Sequence, residues 1–394
     1  MKVLIALTSS SGQLAGVPRH AINLARCLLT RSEIAEVHLA IAPWQMGFIR
    51  DAVPRGDERL RLHIAPIGKS VLSRNLWFYA RLPRLARNLN VDIVHLAYPV
   101  PVRRSAFHCP TVVSLHDLYP YDIPENFGYP KVLAIRYILR RCLRKADAIA
   151  CVSRSTFSRL QSICPKIAQK ATVVRNSLEQ QTPSSVTIVP PEWRRRPFLL
   201  CVAQHKRNKN VLLALRIFDR LLRTRQLSPG TRLLVVGIPG PETAAIKQFV
   251  VSSGLSNSVL LLSGISDAQL QWCYRNCRLA LAPSVVEGFG LPVAEALLAG
   301  CSVVCSDIPA FRELGGRHCH YARLGPDEIK AFADATRAAL SHSSPKAVDL
   351  PQLSTRAIAR QYLALYQSLM PVPATDTDSQ SALFPLTREM QGSI

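Results

Sequence analysis

The sequence has no apolar run of the length that a membrane-spanning helix requires, which is about eighteen residues or more. Its first ten residues carry one lysine and only a short apolar segment, which is typical of a first buried strand and not of a signal peptide. We therefore expect a cytoplasmic protein that does not cross the membrane. Such a chain can still lie on the inner face of the cytoplasmic membrane.

Acidic residues are scarce. The chain has 26 Asp and Glu against 49 Lys and Arg, which gives a formal net charge of +23. An excess of this size predicts an anionic partner. The arginines are scattered through apolar periodic segments, and no zinc-finger, RNP or KH motif occurs, so we expect no nucleic acid. An anionic membrane surface or a phosphate-bearing substrate fits this distribution better.

Motifs for metals and for nicotinamide cofactors are missing as well. The 11 cysteines form no Cys-x-x-Cys knuckle, because Cys273 and Cys277 are four residues apart, as are Cys301 and Cys305. Their odd number and their apolar surroundings favour reduced, buried thiols. The Gly-x-Gly-x-x-Gly spacing of dinucleotide-binding folds is also missing, which argues against a nicotinamide enzyme.

Short apolar segments alternate with longer amphipathic ones through most of the chain, which indicates repeated βα units and parallel sheets covered on both faces. A Pro-, Ser- and Arg-rich segment interrupts this alternation once. We therefore predict two doubly wound, Rossmann-like domains facing each other across a cleft. The predicted boundaries are 1–180 for an acceptor-side domain, 181–197 for the linker, 198–352 for a donor-binding domain, 353–371 for a helix that can cross back, and 372–394 for a frayed tail.

The segment SVVEGFGLPVAEALLAGCSVVCSDIPAFREL, Ser284 to Leu314, is the most informative stretch. We expect Glu287 to end a strand and the following Gly-Phe-Gly to form a tight turn. Pro292 fits the first position of a helix, so backbone amides near Gly290 and Leu291 would form an anion site at the helix N-terminus. Glu295 would then lie on an exposed first turn, where it can accept hydrogen bonds from two neighbouring hydroxyls.

This segment resembles the signature of family 4 of the retaining glycosyltransferases, which have the GT-B fold of two facing Rossmann-like domains. The family has Glu, seven residues and a second Glu around the same Gly-Phe-Gly-Leu-Pro interior. The resemblance implies that Glu295 binds the nucleotide ribose and that Glu287 contacts the donor sugar. It also implies donor contacts from Phe289, Gly290 and Leu291. An ordinary strand-turn-helix with two exposed carboxylates is the structural alternative.

Lys209, in CVAQHKRNKNVLLALRIF, matches the lysine that follows Gly-Arg and four residues in the same family, which implies that it binds the donor diphosphate. A lysine supplies the positive charge that a leaving diphosphate needs in the absence of a metal. The family arginine is replaced by Gln204. Either Lys206 or Arg207 can supply the missing charge, and we include Arg207 among the donor-binding residues.

Two N-terminal motifs complete the predicted site. The strand-end sequence His116-Asp117-Leu118 resembles that of a subset of the family rich in mannosyltransferases, which implies that His116 contacts the donor sugar or helps to align the acceptor. A core histidine is the alternative. Gly16, in a loop resembling the glycine-rich first loop of the family, would let that loop close over donor or acceptor, with Arg19 facing the cleft.

Two basic helical patterns, Arg74 to Arg87 and Arg136 to Lys145, combine apolar and cationic faces. The first contains Trp77 and Phe78. These features favour contact with an anionic membrane, as in related enzymes that act on lipid-linked acceptors. The alternative is that both aromatic side chains are part of the core.

The function implied by the resemblance is transfer of a sugar, with retention of configuration, from a nucleotide diphosphate to a hydroxyl of a glycan or lipid-linked acceptor in cell-surface polysaccharide synthesis. His116, Lys209 and Glu287 would be catalytic. GDP-mannose is the first donor we consider, followed by UDP sugars. No Asp-x-Asp pair lies near these motifs, so we expect neither a metal nor a cofactor. A nucleotide-sugar epimerase and a non-catalytic nucleotide-sugar-binding scaffold are the alternatives.

Overall fold

The computed structural model describes residues 1–9, 12, 16–54, 56–178, 196–341 and 346–371. Most of the predicted linker, at 181–195, and the whole predicted tail, at 372–394, lie outside the described residues. No helix among the described residues is long and apolar enough to cross a membrane.

The first domain is built on a seven-stranded parallel sheet with the strand order β3-β2-β1-β4-β5-β6-β7. Its strands are β1 (Lys2–Ala6), β2 (Glu36–Ile41), β3 (Leu60–Ile64), β4 (Ile93–Leu96), β5 (Thr111–Leu115), β6 (Ala148–Cys151) and β7 (Ala171–Val173). The order reverses between β1 and β4. In doubly wound sheets, ligands bind outside the carboxyl ends of the strands at such a reversal.

The second domain repeats this arrangement in a six-stranded parallel sheet with the order β10-β9-β8-β11-β12-β13. Its strands are β8 (Phe198–Val202), β9 (Arg232–Val236), β10 (Val259–Leu262), β11 (Leu279–Ala282), β12 (Val303–Ser306) and β13 (His320–Ala322). The order reverses between β8 and β11. The motifs that contain Lys209 and Glu287 follow these two strands directly.

Helices cover both faces of both sheets. Those of the first domain are α1 (Val17–Leu29), α2 (Met46–Ala52), α3 (Val71–Leu76), α4 (Leu82–Asn88), α5 (Tyr119–Asp122), α6 (Lys131–Lys145), α7 (Arg154–Ile163) and α8 (Pro165–Ala168). Those that follow are α9 (Val211–Arg223), α10 (Thr243–Ser252), α11 (Asp267–Asn276), α12 (Leu291–Leu298), α13 (Pro309–Gly315), α14 (Glu328–Ser341) and α15 (Thr355–Gln367). The expectation of two doubly wound domains is confirmed.

Strand β1 shows why the central strands consist of continuous apolar residues. Val3 and Ile5 pack into one cluster with α1, whereas Leu4 and Ala6 pack into a second cluster on the opposite face of the sheet. All four side chains are fully buried. A strand covered on both faces needs apolar residues at consecutive positions, which is the pattern read from the sequence.

Helix α15 follows the second domain in the chain but packs on the first. Its side chains Tyr362 and Tyr366 are buried in the cluster that contains β1 and α1. The preceding residue Leu353 packs instead against Phe289 and Val152, one from each domain. The segment from Leu353 to Tyr366 therefore joins both domains.

The expectation that Trp77 and Phe78 contact a membrane is wrong. Their side chains are only 3% and 1% exposed and pack in the core with Leu82 and Leu139. Each of these large rings gains more from burial in the core than from an exposed position. All 11 cysteines are free thiols, and all except Cys277 are buried, so their environment is that of packing residues.

Candidate active site

Lys209 and Glu287 form the centre of the site, at the carboxyl ends of β8 and β11. Lys209 Nζ lies 2.5 Å from Glu287 Oε1, and the same oxygen accepts a hydrogen bond of 2.8 Å from Ser284 Oγ. The Glu287 side chain is only 7% exposed and that of Lys209 is 19% exposed. Glu287 does not end a strand as expected, because β11 stops at Ala282 and the carboxylate lies on the following loop.

The second oxygen of Glu287 faces the first domain. Tyr119 OH donates to Glu287 Oε2 over 3.3 Å, and Tyr119 N donates to Asp117 Oδ1 over 3.1 Å. Burial raises the pKa of Asp117 to about 6, while Lys209 acts in the opposite direction. Residues from both domains thus surround one carboxylate.

The glycines of the Gly-Phe-Gly turn are required by close approaches of the backbone. A Cβ on Gly288 would lie 1.7 Å from the carbonyl oxygen of His116 in the first domain. Gly290 has φ 98°, and a Cβ there would lie 2.7 Å from the ring of Phe311. Gly290 precedes α12, which begins at Leu291, so Pro292 is its second residue and not its first. The free amides of this helix terminus point out of the turn.

Glu295 lies one turn further along α12 and is partly buried, so the expectation of an exposed carboxylate is wrong. Tyr274 OH donates to Glu295 Oε2 over 3.0 Å from helix α11. Burial raises the pKa of Glu295, whereas the positive charge of Arg19 lowers it. Arg19, expected to face the cleft, comes from α1 in the first domain and pairs there with Asp267 of the second domain at 2.5 and 3.1 Å.

His116 directly follows β5, where its Nε2 donates a 2.8 Å hydrogen bond to the carbonyl oxygen of Ala97. This bond leaves Nδ1 without a proton and able to accept one. Burial also lowers the pKa of His116, which favours the neutral ring. Gly16 has φ 51° and caps the start of α1, close in the chain to Arg19.

Three of the predicted donor-binding residues lie in different environments. Phe289 is buried in an apolar cluster with Val152 and Leu353, so only its backbone can face a ligand. Leu291 packs against the same cluster. Arg207 is exposed on the single turn that leads to Lys209 and has no ion pair among the described residues.

The family model named Glycosyl transferases group 1 matches residues 190–352, and the model named Glycosyltransferase Family 4 matches residues 14–181. The chain belongs to glycosyltransferase family 4. It is an enzyme of the glycosyltransferase class, and its two parallel-sheet domains form a GT-B fold.

Relatives of this glycosyltransferase include two mannosyltransferases. The O-antigen chain mannosyltransferase B of Escherichia coli is 24% identical over 80% of this chain and 85% of its own length. The O-antigen chain mannosyltransferase RfbU of Salmonella typhimurium is 25% identical over 57% of this chain, and the match spans only 59% of RfbU.

Solved structures of glycosyltransferases share the fold at low sequence identity. Anabaena HepE in complex with UDP and glucose has a TM-score of 0.67 at 17% identity, covering 94% of this chain and 100% of HepE. WaaG, a glycosyltransferase involved in lipopolysaccharide biosynthesis, has a TM-score of 0.64 at 18% identity, covering 93% of this chain and 97% of WaaG.

A cavity of about 940 Å³ opens between the two domains of the glycosyltransferase beside Glu287. The first domain contributes α5 and α7, and the second contributes the loop 285–288 and the start of α13. Hydroxyl, carboxylate and guanidinium groups lie along its walls between apolar side chains, among them those of Tyr119, Glu313 and Arg159. A saccharide offers hydroxyls to such polar groups and apolar ring faces to the side chains between them.

Several site residues carry no recognisable signal in the sequence. Tyr274 and Asp267 lie on α11, in a different βα unit from the carboxylate and the arginine that they contact. Only the folded chain brings these pairs together. Ser284 lies three residues before Glu287, and Tyr119 lies three residues after His116. Their closeness to these predicted site residues is the signal that could have identified them.

Proposed function

We propose that this enzyme transfers a sugar, with mannose from GDP-mannose as the first candidate, to a hydroxyl of a glycan or lipid-linked acceptor in cell-surface polysaccharide synthesis. The observation that carries the proposal is the Lys209–Glu287 pair next to the start of α12, with Glu295 one turn further. Mannosyltransferase relatives from O-antigen synthesis support the choice of sugar and pathway class.

The donor would be held by three kinds of group. Glu295, oriented by Tyr274, accepts hydrogen bonds from the ribose hydroxyls. The amides at the start of α12 and the ammonium of Lys209 bind the diphosphate. The carboxylate of Glu287 accepts hydrogen bonds from hydroxyls of the donor sugar, opposite His116, whose unprotonated Nδ1 accepts another.

The reaction would retain the configuration at the anomeric carbon. The bond from that carbon to the diphosphate oxygen breaks, and Lys209 with the helix amides stabilises the departing negative charge. The acceptor hydroxyl attacks from the same face and forms the new glycosidic bond. Its proton passes to the leaving phosphate oxygen, so neither a metal nor a carboxylate nucleophile is required.

The first experiment is a screen of donor hydrolysis and transfer with GDP-mannose, UDP-glucose and UDP-N-acetylglucosamine. We expect turnover with GDP-mannose and a product in which the sugar is bonded to the acceptor with the donor's anomeric configuration. An inverted product would exclude the retaining mechanism, and an epimerised nucleotide sugar without transfer would identify an epimerase. Failure of every nucleotide sugar to bind would overturn the proposal as a whole.

We further propose that the enzyme binds an anionic membrane through a basic-apolar surface, defined by the exposed side chains of residues 69–87, which include α3, and of α6. Leu72 and Leu76 on α3 are 71% and 56% exposed, and Leu133 and Tyr137 on α6 are 53% and 63% exposed. The two segments cover the same face of the first sheet, because Trp77 and Phe78, which directly follow α3, share one core cluster with Leu139 of α6.

The charges of this surface are all of one sign. Neither 65–89 nor 128–146 contains an acidic residue. The exposed basic residues are Lys69, Arg81, Arg84, Arg87, Lys131, Arg140, Arg144 and Lys145. Juxtaposed basic and apolar side chains bind anionic lipid surfaces through both electrostatic and hydrophobic contributions.

The test is flotation with phosphatidylcholine vesicles that contain or lack phosphatidylglycerol. We expect binding only to the anionic vesicles, weakened by salt and by the double change Leu72→Glu and Leu76→Glu. Val251→Glu is the matched control, because Val251 is also 71% exposed but lies on α10 of the second domain. Equal binding to neutral vesicles, or equal loss in the control, would contradict the proposal.

A further inference from the structure

A chain of buried hydrogen bonds runs beneath the site through the first domain. His20 of α1 and His95 of β4 both contact Ser114 Oγ of β5, at 2.7 and 2.8 Å through their Nε2 atoms. His95 Nδ1 contacts Tyr366 OH of α15 at 2.8 Å, and His20 Nδ1 contacts Asn176 Oδ1 at 2.7 Å. All five side chains are buried, so water cannot satisfy them in place of these partners.

The numbers of hydrogen-bond donors and acceptors fix which atom donates and which accepts at each bond of this chain. Asn176 Oδ1 only accepts, so His20 carries its proton on Nδ1 and accepts at Nε2 from the Ser114 hydroxyl. Ser114 has a single proton, so its oxygen must accept from His95 Nε2. Burial keeps the His95 ring neutral, so its Nδ1 is then an acceptor and the hydroxyl of Tyr366 donates to it.

Both imidazoles are therefore neutral and held in opposite tautomers. The environment favours this state, because burial lowers the pKa of His95 to about 3 and that of His20 well below its usual value. The ring of His116 also lowers the pKa of both histidines. The chain thus remains uncharged and intact throughout the physiological pH range.

The chain reaches the site through His116. The ring of His20 contacts the ring of His116 edge to face, with their centroids 4.6 Å apart and their planes at 90°. Among the described residues, the ring of His116 has a hydrogen-bond partner on one side only, where Nε2 donates to Ala97 O. A ring held by one hydrogen bond needs a packed wall to fix its orientation, and His20 provides that wall.

We propose that His20 and Ser114 are positioning residues for His116, and that the hydrogen-bonded chain from Tyr366 to Asn176 holds them in place. The inference rests on the proposed function, in which His116 contacts the donor sugar. It gives α15 a role at the site, because the last member, Tyr366, lies on the helix that returns from the second domain.

The tautomers provide a test that does not depend on activity. Nitrogen-15 NMR of the full chain labelled at histidine should show His20 protonated on Nδ1 and His95 protonated on Nε2, both neutral at pH 6. Assignment uses His20→Gln and His95→Gln. A charged ring at either position, or the opposite pair of tautomers, would overturn the proposed chain even if no nucleotide sugar were a substrate.

The second test is a double-mutant cycle measured by kcat with the donor that the screen identifies. Ser114→Ala should lower kcat at least 10-fold and change the donor Kd less than 2-fold, because His116 loses its orientation while the nucleotide contacts remain. In a His116→Ala background, Ser114→Ala should change kcat less than 2-fold. Equal losses in both backgrounds would show that Ser114 acts only on general stability.

Ser306→Ala is the matched control for this cycle. Ser306 is also fully buried, at the end of the inner strand β12 of the second domain, and its hydroxyl has no hydrogen-bond partner among the described residues. We expect kcat to change less than 2-fold in this variant. If Ser114→Ala does not fold, Tyr366→Phe opens the same chain from its far end without a change in shape. No effect of Tyr366→Phe on kcat or on the His95 tautomer would then overturn the proposal.

Discussion

Replacement of Glu295 by alanine should have two separate effects, one on donor binding and one on the stability of the protein. Its Oε2 accepts a hydrogen bond from Tyr274 OH over 3.0 Å, and its remaining acceptor capacity is available for the ribose. A hydrogen bond to a charged group contributes about 1.5 to 3 kcal/mol. Loss of two such bonds that share one carboxylate should weaken donor binding by roughly 10²-fold or more, as measured by calorimetry.

The same change should also destabilise the protein. Tyr274 is fully buried, and without Glu295 its hydroxyl has no hydrogen-bond acceptor among the residues that the structure describes. An unsatisfied buried hydroxyl costs about 1 to 3 kcal/mol, which urea unfolding can detect. Adding Tyr274→Phe removes the unsatisfied hydroxyl, so we expect the double variant to regain part of this stability without regaining donor affinity.

Deoxyribose donors show whether the lost binding energy belongs to the ribose. In the wild type, a 2′-deoxy or 3′-deoxy donor should bind about 10-fold more weakly than the intact donor, since each lacks one bond to the carboxylate. In Glu295→Ala, both should bind like the intact donor. An equal penalty for the deoxy donors in the two proteins would refute the assignment of Glu295 to the ribose.

Three further predictions concern charge in the cleft. Lys209→Ala should lower kcat about 10² to 10³-fold, because one group that stabilises the departing negative charge is lost. Lys209→Arg should restore kcat to less than about a tenth of the wild-type value. Excess EDTA should leave activity unchanged, whereas loss on chelation and recovery with manganese would contradict the proposed metal independence. Because the pKa of Asp117 is raised to about 6, the folded state holds its proton more tightly than the unfolded state. The free energy of unfolding should therefore fall by about 2 to 3 kcal/mol as pH rises from about 4 to 6, and Asp117→Asn should abolish that fall.

The periodicity of the chain predicted most of the fold. Strands such as β1 and β11 are covered on both faces, so their sequences are continuous apolar segments of the expected length. Two edge strands lack this apolar pattern and could not be predicted from it. β3 is partly exposed and alternates in polarity, and β13 has only three residues, so neither presents an apolar run. Edge strands lack a neighbour on one side, and their sequences are correspondingly less distinctive.

The site was predictable where a backbone constraint marks it. Gly288 and Gly290 are required by contacts closer than any side chain permits, and this constraint makes the Gly-Phe-Gly motif conspicuous in the sequence. No such backbone constraint indicates the surroundings of Glu295 in the sequence. Its burial depends on Tyr274 and on Arg19, which lie on another βα unit and another domain, and no local pattern encodes contacts at that separation.

The ion pairs of the cleft limit how much the large positive charge of the chain can contribute to donor affinity. Lys209 is bonded to Glu287 and Arg19 to Asp267, so these two cations of the cleft are already compensated by carboxylates. A diphosphate must compete with Glu287 for Lys209, and the gain in affinity is the difference between two ion pairs. Further positive charge lies outside the cleft, on the exposed basic residues of 69–87 and of α6. Salt should therefore weaken vesicle binding much more than donor binding, and a steeper salt dependence for the donor would place the effective charge in the cleft instead.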